Sequence, residues 1–129
     1  MRANAPGWWK RVENAADPGT PDCFAVVQGL GLWLELKDGK SWGAAGFGCT
    51  QPKRWALQRL WLRNLARAGG TGFLLVRCRG EILLVPGGRL LHRGTREQWL
   101  ALAVGHWQRQ VDWEELGRLL IKEDSCCGK

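Results

Sequence analysis

The chain has 129 residues, 45% of them apolar, and its nineteen Lys and Arg outweigh twelve Asp and Glu to give a net charge of +7. That length suits one compact domain with a true core, and the lack of any run of 18 apolar residues excludes a membrane-spanning helix. The first twenty residues have no apolar stretch of the kind a secretory signal requires, so an intracellular protein is expected.

In chain order, Trp8 to Ala15 is expected to form a short helix, ended by the break Asp17-Pro18-Gly19-Thr20-Pro21. The runs CFAVVQG and LWLELK, rich in branched and aromatic residues, predict two strands. Gly29-Leu30 between them suits a type II′ hairpin, with Gly in the first central position. DGKSWGAAGFGCTQ is glycine-rich and reads as a loop. Its DGKS resembles the end of a phosphate-binding P-loop, but that motif needs Gly where Leu34 stands. Pro52 to Ala68 is the strongest helix, with Pro52 in its first turn and Gly69-Gly70 at its end. Leu57, Leu60, Trp61, Asn64, Leu65 and Ala68 would share one face, and Arg59, Arg63 and Arg67 would line another. TGFLLVRC and EILLVP predict two further strands around an Arg79-Gly80 turn. Thr95 to Trp107, with Thr95 as N-cap, and Asp112 to Lys122 are expected helices, and residues 123–129 an irregular tail. The order predicts a mixed α/β domain over residues 1–122, without internal repeats.

The charge is uneven. Between Gln51 and Arg96 ten basic residues face one acid, Glu81, whereas from Glu97 onward four face six. Such a block suits a polyanionic partner, most simply nucleic acid, although a solvated surface uses the same residues. Cys23, Cys49 and Cys78 are scattered and read as small apolar fillers; Cys126-Cys127 has no second pair, and His92 and His106 lack ligand spacing. Nine Trp are many for so small a core. Trp33 is expected in that core, while Trp8, Trp9, Trp42, Trp55 and Trp61 would supply a dimer interface or a base-stacking surface.

Side chains two apart on a strand share a face, so Glu35 and Lys37 point one way and Leu36 the other. With Gly29-Leu30 as the loop, Asp22 lies opposite Lys37 and Phe24 opposite Glu35. Asp22, Glu35 and Lys37 then converge at the open end of the hairpin. Two carboxylates are hard oxygen ligands for a divalent cation, and a Lys beside them can orient a water and steady developing charge.

Pro21-Asp22, a twelve-residue gap and Glu35-Leu36-Lys37 resemble the signature of the PD-(D/E)xK nucleases. RVENAADPGTPD resembles the start of the archaeal-type Holliday junction resolvases, including their phage and viral relatives, in which an acid at the place of Glu13 completes the site. QRLW (Gln58 to Trp61), ARAGG and GFLLVR continue the likeness, which covers about residues 8–86. The resemblance implies a restriction-endonuclease-like mixed sheet flanked by helices. It implies Mg²⁺, with Mn²⁺ able to substitute, held by Asp22, Glu35 and the main-chain carbonyl of Leu36 with help from Glu13, and a water placed by Lys37. The implied catalytic set is Glu13, Asp22, Glu35 and Lys37, leaving a 5′-phosphate and a 3′-hydroxyl. Lys40, Lys53, Arg54, Gln58, Arg59, Arg63 and Arg67 are the candidate DNA contacts. The expectation is a homodimeric enzyme resolving four-way DNA junctions, in the host cytoplasm or nucleoid if phage-encoded. The alternatives are a flap, single-strand or restriction-like nuclease of the same fold, or a non-catalytic DNA-binding protein.

Overall fold

The structure, a computed structural model, describes residues 7–12, 17, 19–42 and 51–127, the last five by their backbone alone. Six strands form one sheet in chain order: β1 (Trp8–Arg11), β2 (Cys23–Val27), β3 (Leu30–Gly39), β4 (Gly72–Cys78), β5 (Glu81–Pro86) and β6 (Gly105–Gln108). All neighbours are antiparallel except β3 and β4. A parallel pair needs a long connection, and it contains helix α1 (Pro52–Arg67). A 3-10 turn (Gly87–Arg89), α2 (Arg96–Leu102) and α3 (Trp113–Cys127) complete the fold, an α/β mixed sheet flanked by helices as expected.

Strand alternation sorts the core into two layers. Ala25, Val27, Leu32, Leu34, Phe73, Ile82 and Leu84 pack with Trp107 and with Leu116 and Leu120 of α3. Leu74, Val76, Leu83 and Val85 point the other way and pack with Trp55 of α1 and Trp99 of α2. Covering both faces explains why EILLVP is apolar without alternation.

Five expectations are corrected. Trp8 to Arg11 is a strand, not the start of a helix, because its aromatic residues pair along the edge of β2 from Trp8↔Val26 to Arg11↔Cys23. The first hairpin turns at Gln28-Gly29, not Gly29-Leu30: both residues have positive φ, 51° and 83°, the type I′ geometry. The expected helix from Thr95 to Trp107 stops at Leu102, and 105–108 become an edge strand along β5. Gly105 permits this, since a Cβ there would meet the Trp107 ring at 2.5 Å. On α1 the buried residues are Trp55, Gln58 and Leu62, while Leu57 and Leu60 are exposed, so the apolar face lies elsewhere than expected. The Arg79-Gly80 turn, the Thr95 cap and the start of the last helix lie where the sequence predicts them, but α3 continues five residues past Lys122, so 123–127 are helical and not the irregular tail expected.

Candidate active site

The type I′ turn sets the register that builds the site. It pairs Val27 with Leu30 and Cys23 with Leu34, which brings Asp22 against Glu35 instead of Lys37, and Phe24 against Trp33 instead of Glu35. Moving a two-residue loop by one position shifts the pairing by two, so every side chain keeps its face. Asp22 is held from several sides. Its carbonyl accepts from Val12 N at 2.7 Å, its amide donates to Glu35 Oε1 at 3.2 Å, and its Oδ2 accepts from Leu36 N at 3.0 Å. Just before it, Asp17 Oδ1 accepts from Gly19 N at 3.1 Å, an Asx-type turn that brings the chain into β2.

Glu35 is 1% exposed, and Lys37 Nζ stands 3.7 Å from its Oε2. Burial pushes the Glu35 carboxyl up to about 7; the charge of Asp22 adds to the rise, while Lys37, the Asp22 amide and Arg54 oppose it. The Lys37 ammonium also lies 5.3 Å from the centroid of the buried Trp55 ring. These groups sit on the β3–β4 pair, where Glu35, Leu36 and Lys37 face Leu74, Leu75 and Val76. In an extended residue the N–H and C=O point to the same side, so the Leu36 carbonyl faces Asp22 as its amide does.

A buried carboxylate, Glu35, beside a half-buried one, Asp22, with one ammonium at hand leaves negative charge that a divalent cation would neutralise, and the oxygen-only donor set suits Mg²⁺ or Mn²⁺. Asp22, Glu35 and the Leu36 carbonyl could hold such an ion. Among the described residues no set of three or more His, Cys, Asp or Glu ligands converges. Glu13, the third expected carboxylate, lies outside the described residues, as does Cys49.

The other candidates divide. Lys53 and Arg54 are exposed in the first turn of α1, where cations oppose the helix dipole, and Arg54 is close enough to act on Glu35. Lys40 is exposed just beyond β3. Gln58, expected as a DNA contact, is 2% exposed, and its Oε1 has no hydrogen-bond partner. Arg59 is half-buried, while Arg63 and Arg67 are exposed. Trp33 packs between Phe24 and Trp61, each 5.1 Å away between ring centroids. Trp42 and Trp55 are buried, so they are not the surface surplus expected of them; Trp8, 57% exposed, is. Sequence reasoning missed Trp55 as the support of Lys37. The available signal was its position one helical turn before Gln58, on the face of α1 opposed to the strand that carries Glu35.

No family model matches the chain, and no curated protein matches it.

Proposed function

We propose that the protein is a metal-dependent endonuclease that hydrolyses DNA phosphodiesters, with four-way junctions as its preferred substrate. The observation that carries this reading is the convergence of Asp22, Glu35 and Lys37 at one end of the β2–β3 hairpin. A purely binding protein gains nothing from burying a carboxylate beside another carboxylate. The basic block supports a nucleic-acid substrate, as do Lys53 and Arg54 at a helix start where their charge is locally unfavourable.

In this mechanism Asp22, Glu35 and the Leu36 carbonyl would hold the cation, and Glu13, outside the described residues, would assist as the resemblance implies. The bound ion supplies charge neutralisation at the phosphate and a more acidic water. Lys37, fixed between Glu35 and the Trp55 ring, donates to the attacking water and orients it toward phosphorus. The water oxygen forms the new bond to phosphorus, the bond to the 3′-oxygen breaks, and that oxygen takes up a proton. The products carry a 5′-phosphate and a 3′-hydroxyl. Arg54, Lys53, Lys40 and the α1 arginines position the backbone without reading sequence.

The test is cleavage of four-way junction, flap, single-stranded and linear duplex DNA with and without Mg²⁺. The expected result is Mg²⁺-dependent cutting that favours the junction. Preference for flap or single-stranded DNA would favour the related nuclease activities, and binding without cutting in Mg²⁺ or Mn²⁺ would leave a DNA-binding protein.

A further inference from the structure

A cleft of about 250 Å³ lies between α1 and the Gly87–Arg89 turn, lined by Ala56, Arg59, Leu60, Arg63, Gly87, Gly88 and Leu90. Its wall is built by close approach. A Cβ on Gly87 would meet Gly72 O of β4 at 2.9 Å and Leu62 Cβ of α1 at 3.1 Å, and one on Gly88 would meet Ala66 Cβ at 3.2 Å, so two glycines let this turn lie against the helix and the strand after it. Arg59 is held at the rim from two sides. Its Nη2 donates to His92 Nδ1 at 3.1 Å, and its guanidinium carbon lies 5.9 Å from the Trp55 ring centroid. Trp55 Nε1 in turn donates to the His92 carbonyl at 2.9 Å. The Arg59 Nε is buried without a hydrogen-bond partner. Burial and the charge of Arg63, one helical turn on, both weaken the hold of Arg59 on its proton. Two like charges at one cleft, one with an unused donor, form a site whose missing partner is an anion.

The Trp55 ring joins this cleft to the carboxylate site. Lys37 Nζ is 5.3 Å and the Arg59 guanidinium carbon 5.9 Å from the same centroid, so the two cations are no more than about 11 Å apart. About three nucleotide steps of a B-form strand, at roughly 3.4 Å each, would span that distance.

We propose that the Arg59–Arg63 cleft seats a backbone phosphodiester of the strand whose scissile phosphate, up to about three nucleotide steps along, is presented to Asp22, Glu35 and Lys37. This rests on the nuclease reading for its direction, and it narrows the arginine stripe to two members, since Arg67 does not line the cleft. Trp55 and His92 are positioning residues that hold Arg59 at its angle.

Binding of a fluorescein-labelled duplex, followed by anisotropy across a NaCl series in EDTA, tests the cleft without any cleavage. Arg59→Ala with Arg63→Ala should weaken binding at least tenfold and lower the log–log salt slope by roughly 1.8, about 0.9 for each lost phosphate contact. Arg63→Ala alone, an exposed change that leaves packing intact, should lower the slope by roughly 0.9. The control removes the same charge away from α1, with Arg109→Ala just past the edge strand β6 and Arg118→Ala on α3 together, and should leave the slope within experimental error. An unchanged slope in Arg63→Ala, or an equal loss in the control, overturns the proposal. So does displacement of the duplex by inorganic phosphate or a 5′-mononucleotide at sub-millimolar concentration, because the cleft would then serve a free or terminal phosphate. A protein that passes these tests yet cuts nothing in Mg²⁺ would overturn the nuclease reading and leave the cleft standing.

Discussion

Glu35 is the only carboxylate among the described residues that folding removes fully from water, and its proton shows the consequence. Its ordinary value of 4.5 rises to about 7 in the folded chain, so the unfolded chain loses the proton first as pH increases. Stability from this group is therefore complete below about pH 4.5, falls between 4.5 and 7, and is fully lost above 7. Thermal melts in EDTA at pH 5 and pH 8 should show a decline for the wild type that Glu35→Gln flattens. At pH 8, Mg²⁺ should raise the wild-type melting temperature and leave that of Glu35→Gln unchanged; equal responses to Mg²⁺ would remove Glu35 from the metal site. Asp22→Ala and Glu35→Ala should abolish cleavage yet bind junctions as well or more tightly, because removing a carboxylate deletes a ligand and also lowers repulsion toward phosphate. Lys37→Ala should lower the cleavage rate by about 100-fold or more. Gln58 poses the complementary case. Its buried, unpartnered Oε1 costs about 1–3 kcal/mol, so Gln58→Leu should stabilise the fold by ~1 kcal/mol. If the oxygen is kept for the site, the same variant should cut more slowly, a trade visible by measuring denaturation and cleavage on one preparation.

The elements differ in how far their own residues specified them. Arg79-Gly80 is recognisable because Gly stands second in a two-residue loop, and the structure gives both residues positive φ. Gln28-Gly29 obeys the same rule, but Gly29 also suits the first place of a type II′ loop with Leu30, a second way to close the hairpin. Because the side-chain period is two, the misplaced loop still put Asp22, Glu35 and Lys37 on one face. Their convergence was therefore readable before their partners were. The edge strands were not. Trp8–Arg11 and Gly105–Gln108 are four residues each, too short to show alternation, and both exist because a neighbouring strand offers unpaired groups. The face of α1 was misplaced because the buried side includes Gln58, a polar residue that a hydrophobic pattern rejects. Glu81 shows how the far end of the sheet is tied together. It accepts from Arg96 Nε at 2.7 Å and pairs with His106 Nε2 at 2.8 Å, linking β5 to α2 and β6. The Arg96 hydrogen bonds, with help from His106, hold its carboxyl at about 2, below the usual 4.5. Stability from Glu81 is thus present above pH 4.5 and lost as pH falls toward 2, a window that does not overlap that of Glu35. Glu81→Gln should leave the acid limb of a stability–pH curve shallower than in the wild type. A limb of unchanged steepness would mean that the three residues contribute only as surface neighbours.

At the scale of the whole molecule, the proposed activity makes a demand that one chain cannot meet. A four-way junction is resolved by cutting two opposed strands, so two copies of Glu35 must act before the first product separates. A stable dimer performs the second cut within one complex at high effective concentration, whereas a monomer must find its nicked product again by diffusion. Each chain has a single Asp22–Glu35–Lys37 cluster among its described residues, and large apolar side chains remain exposed: Trp8 at 57%, Leu57 at 44% and Leu60 at 42%. The expected outcome is a homodimer with two-fold symmetry and paired, symmetric nicks on a four-way junction. Light scattering under cleavage conditions should give about twice the 14.5 kDa of one chain. A supercoiled cruciform plasmid should be converted to linear product with little accumulation of nicked circles. Trp8→Ser and Leu57→Ser then locate the interface: the one that lies in it should shift the dimer toward monomer and convert linear product into nicked circles, with single-strand cutting kept. A wild-type monomer that only ever nicks would instead indicate a nuclease acting on flaps or single strands, for which one cluster per encounter is enough.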